Sequence, residues 1–404
     1  MKLSNLRIED RTDDRSYLIA DITCGFSETR TMWFSVQREY RSWLSDDVFD
    51  AFLTAVVYPA VYYGEEIEIE GTVTSRIFYN TVRYVLPIVM AYTKKDLKPD
   101  VKLTATQTGA FKVPDMQVGT GFSGGVDSFT TIYDNLIEAP EAGWKLTSLF
   151  FFNIGQNGRK NDPCTSERIR YRWQRCKSVA DELRLNAVFV DSNIFDFYHE
   201  DWEYDAGVLC RLACVQALQR ALCRYYISSA VSFVEYAENG YDKRANDLAS
   251  YADPVIIPLL SPDGTDIVCD GAQYTRTQKI ERIASWPLVV KYLNVCVAYT
   301  PQYVSHNCGG CPKCLKTMAA LESMGLLQQY AELFDIEAYR RYERGYKMRQ
   351  RLRYNTDIYA KDNVDFAARY GRPFPDTSAA RRYMRLLWFK TKFNNMLIKL
   401  HLKS

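Results

Sequence analysis

Two short runs carry the residue types and spacing from which chemistry can be read. The first, Ser123-Gly124-Gly125-Val126-Asp127-Ser128, falls between an apolar stretch with strand character, Met116 to Phe122, and a stretch with helical character, Phe129 to Ile137. Adjacent glycines let a backbone approach an anion closely, flanking hydroxyls add donors, and the amides that open a helix favour negative charge. The run therefore reads as a phosphate cradle. An acid inside it makes sense once a divalent cation is added, because Asp127 can hold Mg²⁺ against phosphate oxygens. The second run is Cys296, Cys308, Cys311 and Cys314, spaced Cys-x11-Cys-x2-Cys-x2-Cys. Thiols separated by Gly and Pro form a knuckle that presents several sulfurs to one ion, and four thiolates satisfy a tetrahedral structural Zn²⁺. Two other ligand sets stay open: His306 in place of Cys296, or three thiolates on an iron-sulfur cluster. The other seven cysteines are scattered or helically spaced and read as small buried side chains.

The elements that must position these runs follow from hydrophobic periodicity. Leu146 to Ile154 is the continuously apolar strand of a buried parallel sheet, Ser166 to Leu183 an amphipathic basic helix, and Ala187 to Asp191 the next strand. Gly207 to Arg224 reads as a helix that carries Cys210, Cys214 and Cys223, followed by a strand over Tyr225 to Ala230. This alternation predicts an α/β fold with a doubly wound parallel sheet, whose ligands gather at the carboxyl ends of its strands. That rule brings Gly124 and Gly125, Asn153, Asp191 with Asn193, and Ser228 with Ser229 around one crevice. Arg276 and Lys279 are the candidate cations for a phosphate leaving group, against the plainer reading of a solvated helix face. Lys313 and Lys316 flank the cysteine knuckle.

With these residues in view, the hexapeptide resembles the signature of the PP-loop ATP pyrophosphatases, the adenine-nucleotide alpha-hydrolases. It lacks the Gly-Lys-Ser/Thr of a Walker loop. The resemblance implies a PP-loop (HUP-type) sheet, ATP as cofactor with Asn153 or Asp191 near its adenosine, cleavage between the alpha and beta phosphates, and an adenylated intermediate. With the four cysteines downstream, residues 116 to 325 are similar to the 7-cyano-7-deazaguanine synthases, in which four cysteines bind zinc. Asn307 to Leu321 (NCGGCPKCLKTMAAL) also looks like PP-loop proteins of bacterial biosynthetic and defence gene clusters. The expected activity is adenylation of a carboxyl or carbonyl oxygen on a small or macromolecular substrate, then amidation or nitrile formation. The alternatives are thiolation and a non-catalytic ATP-binding scaffold.

Three segments are expected: an N-terminal accessory α+β domain over 1–114, an ATP-binding domain with the cysteine knuckle over 115–330, and a basic helical extension over 331–404. The 404 residues suffice for a full core. The charged start and the lack of a 20-residue apolar span lead to the expectation of a cytoplasmic protein with reduced thiols. The net charge of +2 conceals an asymmetry. Residues 340 to 404 hold 17 basic against 5 acidic residues, leaving 34 against 44 for residues 1 to 339. Ala379 to Leu402 interleaves Arg and Lys with Trp388, Phe389, Leu397 and Ile398. That pattern suits nucleic acid, a membrane surface, or docking on the protein's own acidic part. The accessory domain suits substrate shaping or a homodimer contact.

Overall fold

The computed structural model describes residues 1–25, 28–93, 101–109, 116–138, 141–158, 164–198, 202–239, 248–298, 303 and 305–399. The chain divides into two compact units, Met1–Gln273 and Tyr274–Ser404. The first is an α/β unit around one ten-stranded sheet. Its strands are β1 (Lys2–Asp10), β2 (Arg15–Cys24), β3 (Glu28–Gln37), β4 (Ile67–Thr74), β5 (Leu103–Gly109), β6 (Gln117–Gly121), β7 (Ser148–Asn153), β8 (Asn186–Ser192), β9 (Leu222–Ser228) and β10 (Asp266–Asp270). Their order across the sheet is β10-β9-β6-β7-β8-β3-β2-β1-β4-β5.

The five strands from β6 to β10 are parallel throughout. Counted from β6 as the first, they lie in the order 3-2-1-4-5, the arrangement of a Rossmann-like sheet. Alternation along β7 shows both faces covered. Phe150 and Phe152 belong to the core shared with the helices Asp50–Tyr63 and Trp202–Ala217. Phe151 points the other way, 6.2 Å from Trp173 of the helix Thr165–Leu183 and 5.2 Å from Phe189. Two glycines in β6 permit this packing. A Cβ on Gly119 would lie 2.5 Å from the Phe150 ring and 3.0 Å from that of Tyr225.

The first 109 residues contribute half of the same sheet. β3 joins β8 antiparallel, with Phe34 opposite Ser192 and Ser35 opposite Asp191. That short ladder is stitched by side chains. Gln37 accepts from the Phe189 amide at 2.9 Å and donates to the Ala187 carbonyl at 3.1 Å; Asn193 accepts from Trp33 N at 2.9 Å and donates to Thr31 O at 2.9 Å. The strands on either side of residue 114 are thus bonded into one layer. The expected segment 115–330 is itself divided at residue 273.

One expected element is corrected. The helix placed over Gly207 to Arg224 ends at Ala217, and Cys223 and Arg224 belong to β9, not to its last turn. Local preference in Leu218 to Leu222 suits a helix, but pairing with β6 overrides it: Gln117 lies opposite Leu222 and Val118 opposite Arg224. β1, β5 and β10 were invisible to periodicity. In β1 a bulge between Ser4 and Arg7, with Asn5 at φ 56°, breaks the alternation.

The second unit is helical among the described residues, with helices Arg276–Ile283, Pro287–Tyr292, Pro312–Ser323, Ile336–Leu352, Ile358–Arg369 and Thr377–Lys399. The last matches the amphipathic helix expected from Ala379; Leu400 to Leu402 lie outside the described residues.

Candidate functional site

The direction of winding reverses between β6 and β9, so the crevice outside their carboxyl ends is the switch point of the sheet. Ser123 to Ser128 occupies the β6 side of it. Gly124 adopts φ 76°, a left-handed conformation that glycine alone takes without strain, and this reverses the chain into the helix Val126–Ile132 and the wider turn Tyr133–Ile137. The hydroxyls shape the loop. Ser128 Oγ donates to the Gly125 carbonyl at 3.0 Å, the Gly125 amide donates to Ser123 Oγ at 3.3 Å, and the two hydroxyls lie 3.3 Å apart. Asp127 sits in the first helical turn and is half-buried. On the β9 side, Ser228 Oγ donates to Thr131 Oγ1 at 3.0 Å, tying that strand end to the same helix.

Asn153 ends β7 and Asp191 is the next-to-last residue of β8; they lie opposite each other in the ladder and are joined by a bond of 2.8 Å from Asn153 Nδ2 to Asp191 Oδ1. The Ser192 amide donates to the same oxygen at 3.0 Å. Burial pushes the Asp191 carboxyl above its usual range, opposed by Asn153 and by the Arg15 guanidinium. Arg15 is a residue the motifs did not reveal. Reaching in from β2, it donates to the carbonyls of Ser35 at 2.7 Å and Phe189 at 2.9 Å, across a sequence separation of 174. Asn157 adds a further polar group, donating to Asn153 Oδ1 at 3.2 Å and accepting from Arg172 at 3.0 Å. Asn193, expected at the crevice, instead binds the β3 backbone.

In the second unit the four cysteine sulfurs all lie within 4.8 Å of one another. A tetrahedron with metal–sulfur bonds of about 2.3 Å has edges of about 3.8 Å, and Cys308 and Cys314 are already 3.9 Å apart. The donor set fits a metal ion with modest contraction. Cys311 caps the helix Pro312–Ser323, its sulfur accepting from the Cys314 amide at 3.5 Å, while the Cys311 amide donates to Cys308 Sγ at 3.3 Å. Cys296 and Cys314 as donors hold the Cys311 thiol far below its ordinary range. In return Cys296 is pushed up to about 11, chiefly by Cys311.

Comparison with protein-family models, curated proteins and solved structures finds no match.

The knuckle is held by Asn307, a second residue the motifs missed although it precedes Cys308. It is buried, and its side chain fills two roles at once. Oδ1 accepts from the amides of Val295 at 2.7 Å and Cys296 at 3.1 Å; Nδ2 donates to the carbonyls of Leu293 at 3.0 Å and Leu333 at 3.1 Å. Asn307 thereby fixes the distant Cys296 beside the other three. Gly309, at φ 65°, has no room for a side chain, since a Cβ would lie 2.1 Å from the Asp335 carbonyl. His306 is exposed, its Nδ1 2.6 Å from Ser305 Oγ, and the clustered ligands are the four cysteines.

Arg276 and Lys279 lie on the helix Arg276–Ile283, opened by a capping box of Thr275 and Gln278 and pinned by Asp362, which accepts from the hydroxyls of Thr275 at 2.8 Å and Thr277 at 2.7 Å. Arg276 is half-buried. Lys279 is only 2 % exposed, so the solvated-face reading fails for it. Lys316 stacks 4.0 Å from the centre of the Tyr359 ring, and Lys313 is exposed. Burial pushes Cys210 up to about 12 and Cys176 and Cys214 upward as well, as inert packing thiols require.

Proposed function

We propose that the chain is a PP-loop ATP-dependent enzyme that activates a carboxylate as its adenylate. The observation that carries this reading is the left-handed Gly124 turn at the switch point of the parallel sheet, with Asp127 in the turn that follows. Backbone amides of the Gly124-Gly125 turn would bind the phosphates of ATP, and Asp127 would supply one oxygen ligand to Mg²⁺. A single carboxylate suits Mg²⁺, which shares its coordination with substrate phosphates and water. The cation, when bound, offsets charge on the triphosphate. A carboxylate oxygen of the substrate attacks the alpha phosphorus, the bond to the bridging oxygen breaks, and pyrophosphate leaves with the negative charge. A nitrogen nucleophile then adds to the acyl carbon, loses a proton, and AMP departs. Asn153 and Asp191, fixed to each other, would offer a donor, the second Asn153 Nδ2 hydrogen, and an acceptor, the Asp191 carboxylate, to the nucleoside.

We read the metal of the cysteine cluster as Zn²⁺ in a structural role, because all four positions are thiolate and none is left for substrate. The test is incubation of the full chain with Mg-ATP, an ammonia source and a panel of carboxylates, reading AMP and pyrophosphate. Formation of both in the presence of one substrate class supports the reading. Tight ATP binding with no AMP across the panel would replace it with a nucleotide-binding scaffold, and release of ADP and phosphate would overturn the alpha-phosphate chemistry.

A further inference from the structure

The helix Thr377–Lys399 begins as an ordinary packed element and then leaves its surroundings. Asp376 caps it by accepting from the Ala379 amide at 2.8 Å, Ala380 is fully buried, and the Arg344 guanidinium lies 5.1 Å from the centre of the Tyr383 ring. One turn later the pattern ends. Five consecutive residues, Arg385 to Phe389, are exposed, which cannot happen on a helix with one face packed. Among them Leu386 is 69 %, Trp388 55 % and Phe389 61 % exposed, the two rings 4.9 Å apart edge to face. The Lys392 ammonium lies 4.9 Å from the Trp388 ring centre.

Charge selects what can cover this stretch. From Thr377 to Ser404 the sequence holds seven Lys and Arg and no Asp or Glu. A second copy of the same helix would place cations against cations, so self-pairing is disfavoured. A nucleic-acid backbone would match the cations but would leave large aliphatic and aromatic side chains such as Leu386 and Phe389 in water. An anionic bilayer surface satisfies both sets: apolar side chains enter the boundary between headgroups and acyl chains while Arg and Lys meet lipid phosphates. No helix among the described residues is long and apolar enough to cross a membrane, so this geometry is one of lying on the surface.

We propose that the helix Thr377–Lys399 docks the protein on an anionic lipid surface through Leu386, Trp388 and Phe389, with Arg381, Arg385 and Lys392 beside them. The docking is independent of the nucleotide chemistry. It is tested by flotation of the full-length protein with extruded vesicles of phosphatidylcholine alone or with about a quarter phosphatidylglycerol. The protein is expected to float with the anionic vesicles and not with the neutral ones. Leu386→Ser/Trp388→Ser/Phe389→Ser and Arg381→Glu/Arg385→Glu/Lys392→Glu are each expected to weaken binding by on the order of a hundredfold. All six side chains are exposed, and an unchanged metal content and melting curve verify that these variants fold. Failure to float with either vesicle, flotation that the variants leave unchanged, or binding to a single-stranded oligonucleotide without binding to vesicles would each overturn the proposal.

Discussion

Replacing Asn307 with Ala tests whether one buried amide assembles the cysteine cluster. The substitution strands two backbone amides, of Val295 and Cys296, and the Leu293 carbonyl, at a position only 1 % exposed, while the Leu333 carbonyl keeps the bond it accepts from the residue 307 amide at 2.8 Å. Each bond contributes about 1 kcal/mol net, and a buried group left without a partner costs about 1–3 kcal/mol. Allowing for relaxation and water entry, the second unit should lose roughly 4 kcal/mol. The loss is specific in kind, because Cys296 is the sulfur supplied from outside the Cys308–Cys314 run and Asn307 holds its amide. Metal affinity should therefore fall about 10- to 100-fold, as when an outer partner of a ligand is removed. The assay is competition of the zinc-loaded protein with a chromogenic chelator, beside a thermal melt of the metal-free form. The melt reads the lost bonds, the competition reads the misplaced ligand. An Asn307→Ala protein that keeps zinc within about twofold of the parent would refute the idea that this amide positions Cys296, even if it melted earlier.

Other outcomes follow from the same reasoning. Asp50 is fully buried, accepts from the Thr74 amide and hydroxyl at 2.8 Å each, and is pushed up to about 6 by burial. A carboxyl with a raised native value binds its proton more tightly folded than unfolded, so stability should fall as pH rises through 6. The loss from pH 5 to 8 is about 1.4 kcal/mol, and denaturant titrations at the two pH values should show it vanish in Asp50→Asn. Gly119→Ala puts a methyl 2.5 Å from the Phe150 ring and should cost about 1–3 kcal/mol in urea unfolding. Asp127→Ala should lower AMP release about a hundredfold or more while leaving the melting curve unchanged; equal turnover would remove Asp127 from the proposed Mg²⁺ site.

The parts of the molecule legible in the sequence are those whose information is local. Ser123 to Ser128 is contiguous, so its turn, its serine bonds and the following helix could be read together. Cys308, Cys311 and Cys314 share one knuckle, and even Cys296 was reachable as the nearest thiol upstream of that run. Arg15 was not legible, since its meaning lies in the Phe189 carbonyl across the seam between β3 and β8. Asn307 was hidden in plain view beside Cys308: nothing in its neighbours announces that the chain of Leu293 to Cys296 returns to it. The end of the Trp202–Ala217 helix failed for the same reason, being set by pairing with β6. Periodicity reports which face of an element is buried, and it is silent about which distant partner does the burying.

The seam between β3 and β8 also orders events in time. β3 is complete by Gln37, but the strand that bonds its open edge is Asn186–Ser192. At a translation rate of about 5–20 residues per second, roughly 8 to 30 seconds separate the two on the ribosome. Through that interval β1, β2 and β3 form a meander with an unpaired edge, Phe34 and Val36 awaiting most of their core. Charges at Glu28 and Arg30 and the bonding side chains of Ser35 and Gln37 line that edge. Gln37, which later stitches the two halves together, is thus among the polar residues a nascent strand needs to remain unaggregated while it waits.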